Sequence, residues 1–173
     1  LRGEGRGEGR VEPPEADACF TTEPGRACAV MAADCLPVLF CDAAGTCVAA
    51  AHAGWRGLAA GVLAETLRRL PVPAVQVMAW LGPAISQPAF EVGAEVRAVF
   101  VERDAGAADC FVDSDVPGKY RADLYALARR QLQSLGVTAV SGGDYCTHGD
   151  TERFYSYRRD GECGRMASLV WIE

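Results

Sequence analysis

Histidine is scarce in this sequence, and several common catalytic signatures are missing. Only two histidines, His52 and His148, occur among 173 residues, so the chain cannot by itself build a site from many imidazoles. There is no C-x-x-C pair, no G-x-x-x-x-G-K-[ST] phosphate loop, no H-E-x-x-H and no G-x-S-x-G. These absences argue against a zinc ribbon, a P-loop, a zincin protease and an α/β-hydrolase.

Long apolar runs and excess positive charge are also lacking. No uninterrupted apolar run approaches the ~20 residues that span a bilayer, and the opening LRGEGRGEGRVEPPE lacks the apolar core of a signal peptide. The 17 Lys and Arg residues are outnumbered by 23 Asp and Glu, which gives a net charge of −6. We therefore expect no membrane partner and no nucleic-acid partner.

The chain is nevertheless rich enough in apolar residues to fold. Half of its residues are hydrophobic, and its length suits one domain. Most of the eight cysteines lie in apolar runs, where the thiol behaves as a small hydrophobe, so we expect reduced cysteines and a cytoplasmic location. Gly, Arg, Glu and Pro dominate residues 1–15, which predicts a flexible N-terminal segment followed by a single domain over 16–173.

Alternating strand and helix patterns predict an α/β domain with a mixed sheet. A turn at 42–45 separates two apolar runs and predicts a hairpin. The polar stretch 103–119 is expected to be irregular, and a closing pair of strands is expected around Asp160 and Gly161. The predicted strands cover 27–33, 36–42, 46–54, 75–83, 137–143, 154–160 and 164–173; the predicted helices cover 57–70, 90–102 and 121–136.

Cys35 and His52 are the first candidate functional pair. Each lies where an apolar strand meets a turn or its partner strand, and the predicted hairpin makes them plausible neighbours. A cysteine beside an imidazole can act as a nucleophile, and the same two groups can bind zinc. A buried thiol and a hydrogen-bonded core histidine explain the same residues equally well. His148 lies in a polar loop and is expected to be solvent-exposed rather than a ligand.

Arginines flanked by glycine and aromatic residues form the second candidate group. Arg56 lies in a G-W-R-G segment, and Arg158 and Arg165 lie near the C-terminus. Guanidinium groups bind phosphate and carboxylate, so these arginines predict an anion site. For Arg159, a salt-bridged surface hairpin is the preferred interpretation.

Four longer segments together identify a family resemblance. They are ADCLPVLFCD (33–42), AAHAGWRGLAAGVL (50–63), WLGPAISQPAFEVG (80–93) and SYRRDGECGRMASLVWI (156–172). They resemble the YfiH-like family, also called the polyphenol-oxidase laccase domain family, which includes laccase-domain purine nucleoside phosphorylases. The resemblance runs from about Ala16 to the C-terminus and covers nearly the whole chain.

The resemblance implies a single α/β/α layered domain similar to the YfiH-like cysteine-hydrolase fold. It also implies a metal site, usually zinc and with copper as the alternative, that uses Cys35 and His52. Family members resemble phosphorolytic enzymes that act on adenosine, inosine, guanosine and methylthioadenosine, with adenosine deamination as a second activity. With this resemblance, Arg56, Arg158 and Arg165 become the candidates for binding phosphate.

The sequence departs from the family pattern at one point. The family's first metal ligand is a histidine in a Q-V-H-G segment, and this sequence has no such segment. The missing histidine is expected just upstream of Leu1, which predicts that the chain is incomplete at its N-terminus.

The leading hypothesis is therefore a zinc-assisted purine nucleoside phosphorylase whose partners are a purine nucleoside and phosphate. Copper-dependent phenol oxidation is one alternative, although a multicopper laccase needs many more imidazoles than two. A metal-free hydrolase that uses Cys35 and His52 is another. A module for peptidoglycan-precursor editing, with a site that no longer works, is the non-enzymatic alternative.

Overall fold

A five-stranded mixed sheet forms the centre of the computed structural model, which describes residues 16–173. The predicted N-terminal segment 1–15 lies outside the described residues. In spatial order the strands are β1 (Ala18–Thr21), β4 (Val48–Ala53), β3 (Leu36–Asp42), β5 (Val77–Leu81) and β9 (Ala139–Gly142). Only β5 and β9 pair in parallel within this sheet; the other neighbours are antiparallel. The predicted α/β class with a mixed sheet is confirmed.

The predicted hairpin is formed by β3 and β4. Asp42 closes its turn, because its carboxylate accepts hydrogen bonds from the backbone N–H groups of Thr46 at 2.7 Å and Cys47 at 2.9 Å. Gly45 lies in the turn with φ of +69°, a conformation that glycine adopts without strain. The register pairs Pro37 with His52, so the start of β3 lies beside the end of β4.

Alternate residues of β4 pack into two different layers. Ala49 and Ala51 face a large core to which the helices α1 (Trp55–Ala60), α2 (Val62–Arg69) and α4 (Leu124–Ser134) contribute. Val48 and Ala50 face a second cluster together with Cys28 and Val30 of β2 (Ala27–Ala32). Strand β2 pairs antiparallel with β10 (Met166–Trp171), so a two-stranded sheet covers the side of β4 opposite the helices.

The helix predicted over 57–70 is two helices. Helix α1 begins at Trp55, two residues before the predicted start, and Gly61 separates α1 from α2. Gly61 has φ of +89°, a left-handed conformation that cannot continue a right-handed helix. The apolar spacing across 57–70 is helical on both sides of Gly61, so periodicity alone does not show the break.

The closing strand pair predicted at 154–160 and 164–173 is wrong in its first half. Tyr157–Asp160 is a short helix, α5, whose N-cap Ser156 accepts a hydrogen bond from the N–H of Arg159 at 3.2 Å. Alternating aromatic residues in FYSY imitate a strand, but the Ser156 cap starts a helical turn. The second half is confirmed as β10, which pairs with β2 instead of with 154–160.

The stretch between β5 and β9 holds a small third sheet. Its strands lie in the order β6 (Glu91–Gly93), β8 (Lys119–Ala122) and β7 (Phe111–Asp113). The helix predicted over 90–102 is therefore β6 followed by α3 (Ala94–Val101). The stretch 103–119, predicted to be irregular, instead contains a 3-10 helix at Ala105–Cys110, all of β7 and the first residue of β8.

Strand β1 was not predicted, whereas β2, β3, β4, β5, β9 and α4 agree with the predictions within a few residues at each end. Strand β5 begins after a 3-10 turn at Ala74–Gln76, α4 starts behind the N-cap Asp123, and β9 occupies the middle of the predicted strand. A further 3-10 turn, Gln87–Ala89, follows β5. No helix among residues 16–173 is long and apolar enough to cross a bilayer.

Candidate active site

The β3–β4 hairpin brings Cys35 and His52 together, as its predicted geometry suggested. Cys35 directly precedes β3, and continuation of the β3–β4 register places it opposite Gly54. His52 lies two residues before Gly54 on the same strand, so its side chain is on the same face as that position. The Cys35 thiol lies near enough to the His52 ring to raise the pKa of His52, and both residues are half-buried.

Gly54 provides the space that the Cys35 thiol occupies. A Cβ at residue 54 would lie 2.8 Å from the Cys35 Sγ and 3.9 Å from the His52 Cε1. The first separation is shorter than real carbon–sulfur contacts, so any larger residue would displace the thiol. The absence of a side chain at Gly54 is thus part of the site.

Asp17, which directly precedes β1, orients the ring of His52. Its Oδ1 lies 3.4 Å from the His52 Nδ1, and its backbone carbonyl accepts the His52 N–H at 2.7 Å. The pKa of His52 is raised, first by the hydrogen bond with Cys35 and then by Asp17, against the opposing effect of burial. With Nδ1 facing a carboxylate, Nε2 is the nitrogen left for a ligand or proton-transfer role.

Asp34 is the most heavily hydrogen-bonded side chain beside the pair. It is 8% exposed, and its carboxylate accepts hydrogen bonds from the Thr147 hydroxyl at 2.6 Å and the Ser156 hydroxyl at 3.0 Å. It also accepts the backbone N–H of Arg158 at 2.7 Å. Asp34 has φ of +92°, unusual for a residue other than glycine, and such conformations persist where surrounding contacts hold them. Asp34, which directly precedes Cys35, thus connects the start of β3 to Thr147, Ser156 and Arg158 near the C-terminus.

The three predicted anion-binding arginines occupy different places. Arg158 is attached to the Cys35 loop through Asp34, while its guanidinium donates to the Glu91 carbonyl at 2.9 Å. Arg56 is exposed, four residues after His52, and its guanidinium lies 4.7 Å from the Trp55 ring centroid. Arg165 donates to the carbonyls of Cys163 and Gly164. Among the described residues, no contact joins Arg56 or Arg165 to the Cys35–His52 pair.

Arg159 is not part of a surface hairpin, contrary to the sequence interpretation. Its guanidinium pairs with Asp160 and also donates to the carbonyls of Thr147 at 2.9 Å, His148 at 3.0 Å and Phe154 at 3.0 Å. Arg159 therefore holds the 147–154 loop against α5. The expected exposure of His148 is only partial, because its side chain is half-buried in this loop.

The donor chemistry of Cys35 and His52 fits zinc. Thiolate sulfur and imidazole nitrogen are its preferred ligands, and a carboxylate behind the histidine is a common companion of such ligands. A catalytic zinc takes three protein ligands, and no group of three or more His, Cys, Asp or Glu residues suited to a metal occurs within residues 16–173. The two residues thus form a partial ligand set, and the third ligand stays a prediction.

Sequence reasoning assigned no role to Asp17 or Asp34. Asp34 lies within the A-D-C-L-P segment next to Cys35, so its position was a signal that could have been followed. Its partners are 113 to 124 residues away in sequence, which is why no local pattern reveals them. Asp17 stands at the start of the described chain, where its pairing with His52 depends on β1 joining the sheet.

Comparison with known families gives a match over almost the whole chain. The family described as "Multi-copper polyphenol oxidoreductase laccase" matches residues 4–173. Relatives include the purine nucleoside phosphorylase of Pseudomonas aeruginosa, 60% identical over 158 residues, which cover 91% of this chain and 65% of the relative. The purine nucleoside phosphorylase YfiH of Escherichia coli K12 is 55% identical over 157 residues, which cover 91% of this chain and 64% of the relative.

Solved structures show the same fold. A protein from Neisseria meningitidis superposes with a TM-score of 0.90 at 57% identity, covering 92% of this chain and 66% of the other. The YfiH protein of Bacillus licheniformis superposes with a TM-score of 0.82 at 32% identity, covering 91% of this chain and 61% of the other. The chain thus spans just under two thirds of the length of these relatives.

Proposed function

The chain belongs to the multi-copper polyphenol oxidoreductase laccase family, and from that premise we propose that it is a metal-dependent purine nucleoside phosphorylase. The reaction transfers the ribosyl group of a purine nucleoside to phosphate. The proposed substrates are adenosine, inosine, guanosine and methylthioadenosine, with adenosine deamination as a second activity. The names of the Pseudomonas and Escherichia relatives support the reaction class.

The single observation that carries the proposal is the Cys35–His52 pair beside the loop that Asp34 anchors. The Cys35 thiol and the oriented His52 imidazole lie at the hairpin end, and the backbone of Arg158 is tied to the same loop through Asp34. Few scaffolds need a half-buried cysteine, a histidine fixed by a carboxylate and a strained aspartate at one hairpin end. This combination suits a working site.

Cys35 and His52 are the proposed zinc ligands. When bound, zinc would supply Lewis-acid polarisation and would lower the pKa of a bound water, which suits the proposed deamination. The chain's own residues do the remaining positioning. Asp17 keeps the His52 ring turned so that Nε2 is available, and Gly54 leaves the thiol free of steric contact.

Arginine side chains are proposed to bind the phosphate. The transition state of nucleoside cleavage develops positive charge on the sugar, so an anion held beneath the ribose stabilises it while the purine leaves. Arg56 is the leading candidate because, among the described residues, its only guanidinium contact is the Trp55 ring, which leaves its N–H groups available. Arg158 and Arg165 are the further candidates, although their guanidinium groups already donate to backbone carbonyls.

Copper is the alternative metal, favoured by the family's description. The donors at hand fit it only in part, because a multicopper laccase combines a blue-copper site with a trinuclear cluster, and together these need many more imidazoles than the two histidines of this chain. Elemental analysis of protein purified without added metal decides between the two. Bound zinc that is lost in Cys35→Ser supports the proposal, and bound copper that is lost in the same variant, together with phenol oxidation, contradicts it.

The activity itself is tested by hypoxanthine release from inosine with and without phosphate. We expect release only with phosphate, abolished by Cys35→Ser and retained by His148→Ala, which removes the other histidine. Release that survives Cys35→Ser, or that needs no phosphate, contradicts the proposal. Activity that persists after complete chelation of metal would favour a metal-free hydrolase that uses Cys35 and His52.

A further inference from the structure

A cleft of about 530 Å³ opens beside the loop that carries Cys35, outside the residues assigned above. It lies where β5 and β9 end, and these are the two parallel strands of the central sheet. Ligands in open α/β sheets bind beyond the carboxyl ends of parallel strands, and this volume lies within the range of small-molecule sites. Ser86, which follows β5, and Asp144, Tyr145 and Cys146, which follow β9, line the cleft.

Two hydrogen bonds connect the residues beside the cleft to the loop that carries Cys35. Ile85, next to Ser86, donates its backbone N–H to the Asp34 carbonyl at 3.0 Å. Thr147, next to Cys146, donates its hydroxyl to the Asp34 carboxylate at 2.6 Å. Ser86 and Cys146 of the cleft are therefore each adjacent in sequence to a residue that is hydrogen-bonded to Asp34. Asp34 itself directly precedes Cys35.

The polar groups of the cleft indicate an uncharged ligand. Arg129, which also lines it, donates its guanidinium to the carbonyls of Val140 and Gly142, so this cation is already engaged. Asp144 is exposed and has no hydrogen bond or ion pair among the described residues, so its carboxylate is available as an acceptor. Because the Arg129 guanidinium is already hydrogen-bonded and the Asp144 carboxylate is negatively charged, the cleft disfavours phosphate. It favours a ligand with several hydrogen-bond donors, such as a ribose.

The Tyr145 ring offers a surface for an aromatic base. The side chain is 41% exposed and lines the cleft, and the ring is held by Phe154 at 5.6 Å and by the Arg153 guanidinium at 5.0 Å between centres. The Tyr145 carbonyl accepts the Tyr125 hydroxyl at 2.9 Å, which fixes the backbone below the ring. A held, exposed aromatic ring is the usual platform on which nucleobases stack.

We propose that this cleft is the nucleoside subsite, in which the purine stacks on Tyr145 and the ribose hydroxyls donate to Asp144. The assignment rests on the proposed function for its substrate class. It assigns the neutral nucleoside to the cleft and the phosphate to arginines at its edge, which must bring a phosphate oxygen into contact with the ribose C1′ as the bond from C1′ to the purine breaks.

Cys146 provides a readout that does not require catalysis. Cys146 lines the cleft, and its Sγ accepts the Gly149 N–H at 3.4 Å. Burial opposes ionisation of the thiol, but hydrogen bonds from Ser86 and from the N–H groups of Gly149 and His148 outweigh it and lower the pKa of Cys146. A nucleoside bound in the cleft should cover this thiol and slow its alkylation.

The first test is alkylation by iodoacetamide, followed residue by residue with peptide mass spectrometry. We expect inosine to slow the alkylation of Cys146, whereas phosphate alone leaves it unchanged. Cys163, which does not line the cleft, serves as the internal control and should react at the same rate throughout. Equal alkylation of Cys146 with and without saturating inosine, or equal protection by phosphate, overturns the assignment.

The second test is the dissociation constant of inosine measured by calorimetry on the full chain. Tyr145→Ala should raise it about tenfold, because stacking on an aromatic ring is worth about 1–3 kcal/mol per base. Tyr145→Phe keeps the ring and should bind as the unmodified protein does. Unchanged binding by Tyr145→Ala overturns the subsite, and so does weakened binding by Tyr145→Phe.

The two tests separate the subsite from the proposed reaction. If inosine protects Cys146 and binds through Tyr145 but is never cleaved, the subsite stands and the phosphorylase function fails. If inosine is cleaved while neither Cys146 protection nor the Tyr145→Ala effect is seen, the function stands and the subsite is wrong.

Discussion

At the scale of single residues, the candidate site depends on a glycine, because a side chain at that position would fill the space of the Cys35 thiol. Gly54 faces Cys35 across the hairpin end, and the space it leaves is filled by the Cys35 Sγ. Its backbone has φ of −61° and ψ of 165°, which any residue adopts, so glycine is required there for room and not for conformation. Gly61 is the opposite case, with φ of +89° and no atom within 4 Å of a Cβ position.

These two glycines make a matched pair of variants. Gly54→Ala should displace the Cys35 thiol and lower the metal content of the purified protein, because the new Cβ lies 2.8 Å from Sγ. Gly61→Ala should leave the metal content unchanged and lower the free energy of unfolding by roughly 1–2 kcal/mol, the cost of a left-handed residue with a Cβ. Full metal content in Gly54→Ala, measured by elemental analysis, would contradict the described geometry.

Asp34 gives the second residue-scale prediction. In Asp34→Asn the charge is lost and one acceptor oxygen becomes an NH₂ donor, so the hydrogen bonds from Thr147, Ser156 and Arg158 weaken whichever way the amide turns. Unfolding should therefore become easier by about 1–3 kcal/mol in urea denaturation. Asp115→Asn, at an exposed ion pair with Arg121, is the control and should cost at most about 1 kcal/mol. Equal stability of the two variants would refute the role given to Asp34.

Sequence reasoning reached part of this residue-scale picture. The pairing of Cys35 with His52 was predictable, because one turn separates two apolar strands and fixes which residues face each other. The bond from Asp34 to Thr147, Ser156 and Arg158 was not, because it joins segments more than 100 residues apart. Contacts of that separation are set by the whole fold and leave no periodic trace.

At the scale of elements, one tyrosine on α4 joins the two strand ends that form the cleft. The buried Tyr125 hydroxyl accepts the Ala84 N–H at 2.7 Å after β5 and donates toward the Tyr145 carbonyl at 2.9 Å after β9. Burial is the main reason that the pKa of Tyr125 rises to about 12, so the hydroxyl remains protonated at neutral pH. The geometry of the cleft therefore depends on α4 as well as on the strands.

Removal of that hydroxyl should loosen both strand ends. Tyr125→Phe leaves the buried Ala84 N–H without an acceptor, so the free energy of unfolding should fall by about 1–3 kcal/mol. Native-state hydrogen exchange should show faster exchange at Ala84 and Thr147 than in the unmodified protein. Tyr157→Phe, at an exposed tyrosine, is the control. Unchanged exchange at both sites would show that Tyr125 does not join them.

The element-scale errors of sequence reasoning have physical causes. The helix over 57–70 was predicted as one because apolar spacing continues through Gly61, while the break comes from backbone conformation. The strand at 154–160 was predicted from alternating aromatics, while Ser156 and Asp34 bind the backbone N–H groups that start a helix instead. Backbone conformation at Gly61, and hydrogen bonds to Ser156 and Asp34 at the second segment, thus decided the structure where the residue spacing predicted another.

At the scale of the whole molecule, acidic side chains connect stability to pH. Within residues 16–173, hydrogen bonds lower the pKa values of six carboxyl groups, most of them paired with arginine on the surface. Buried Asp42 is the main contributor, since exposed pairs are screened by solvent. The six are Asp42, Glu65, Glu91, Asp104, Asp150 and Asp160.

Stability should therefore fall in acid. Burial opposes the Asp42 charge, but hydrogen bonds from Cys47 and Thr46 lower the pKa of Asp42 below its ordinary 3.8. A carboxyl group with a lowered folded-state pKa stabilises above its unfolded value, so the free energy of unfolding should be level above about pH 5 and fall below about pH 4. Asp42→Asn should show a lower plateau and a shallower fall, measured by urea denaturation across pH. An unchanged acid dependence in Asp42→Asn would contradict this assignment.

Phosphorolysis at the Cys35–His52 site is decided by ³¹P NMR of inosine and phosphate incubated with the protein. Ribose 1-phosphate should appear in equal amount with hypoxanthine, only when both substrates are present, and not at all with Cys35→Ser. His148→Ala should behave as the unmodified protein does. Hypoxanthine without ribose 1-phosphate, or the same rate from Cys35→Ser, would contradict the proposed function.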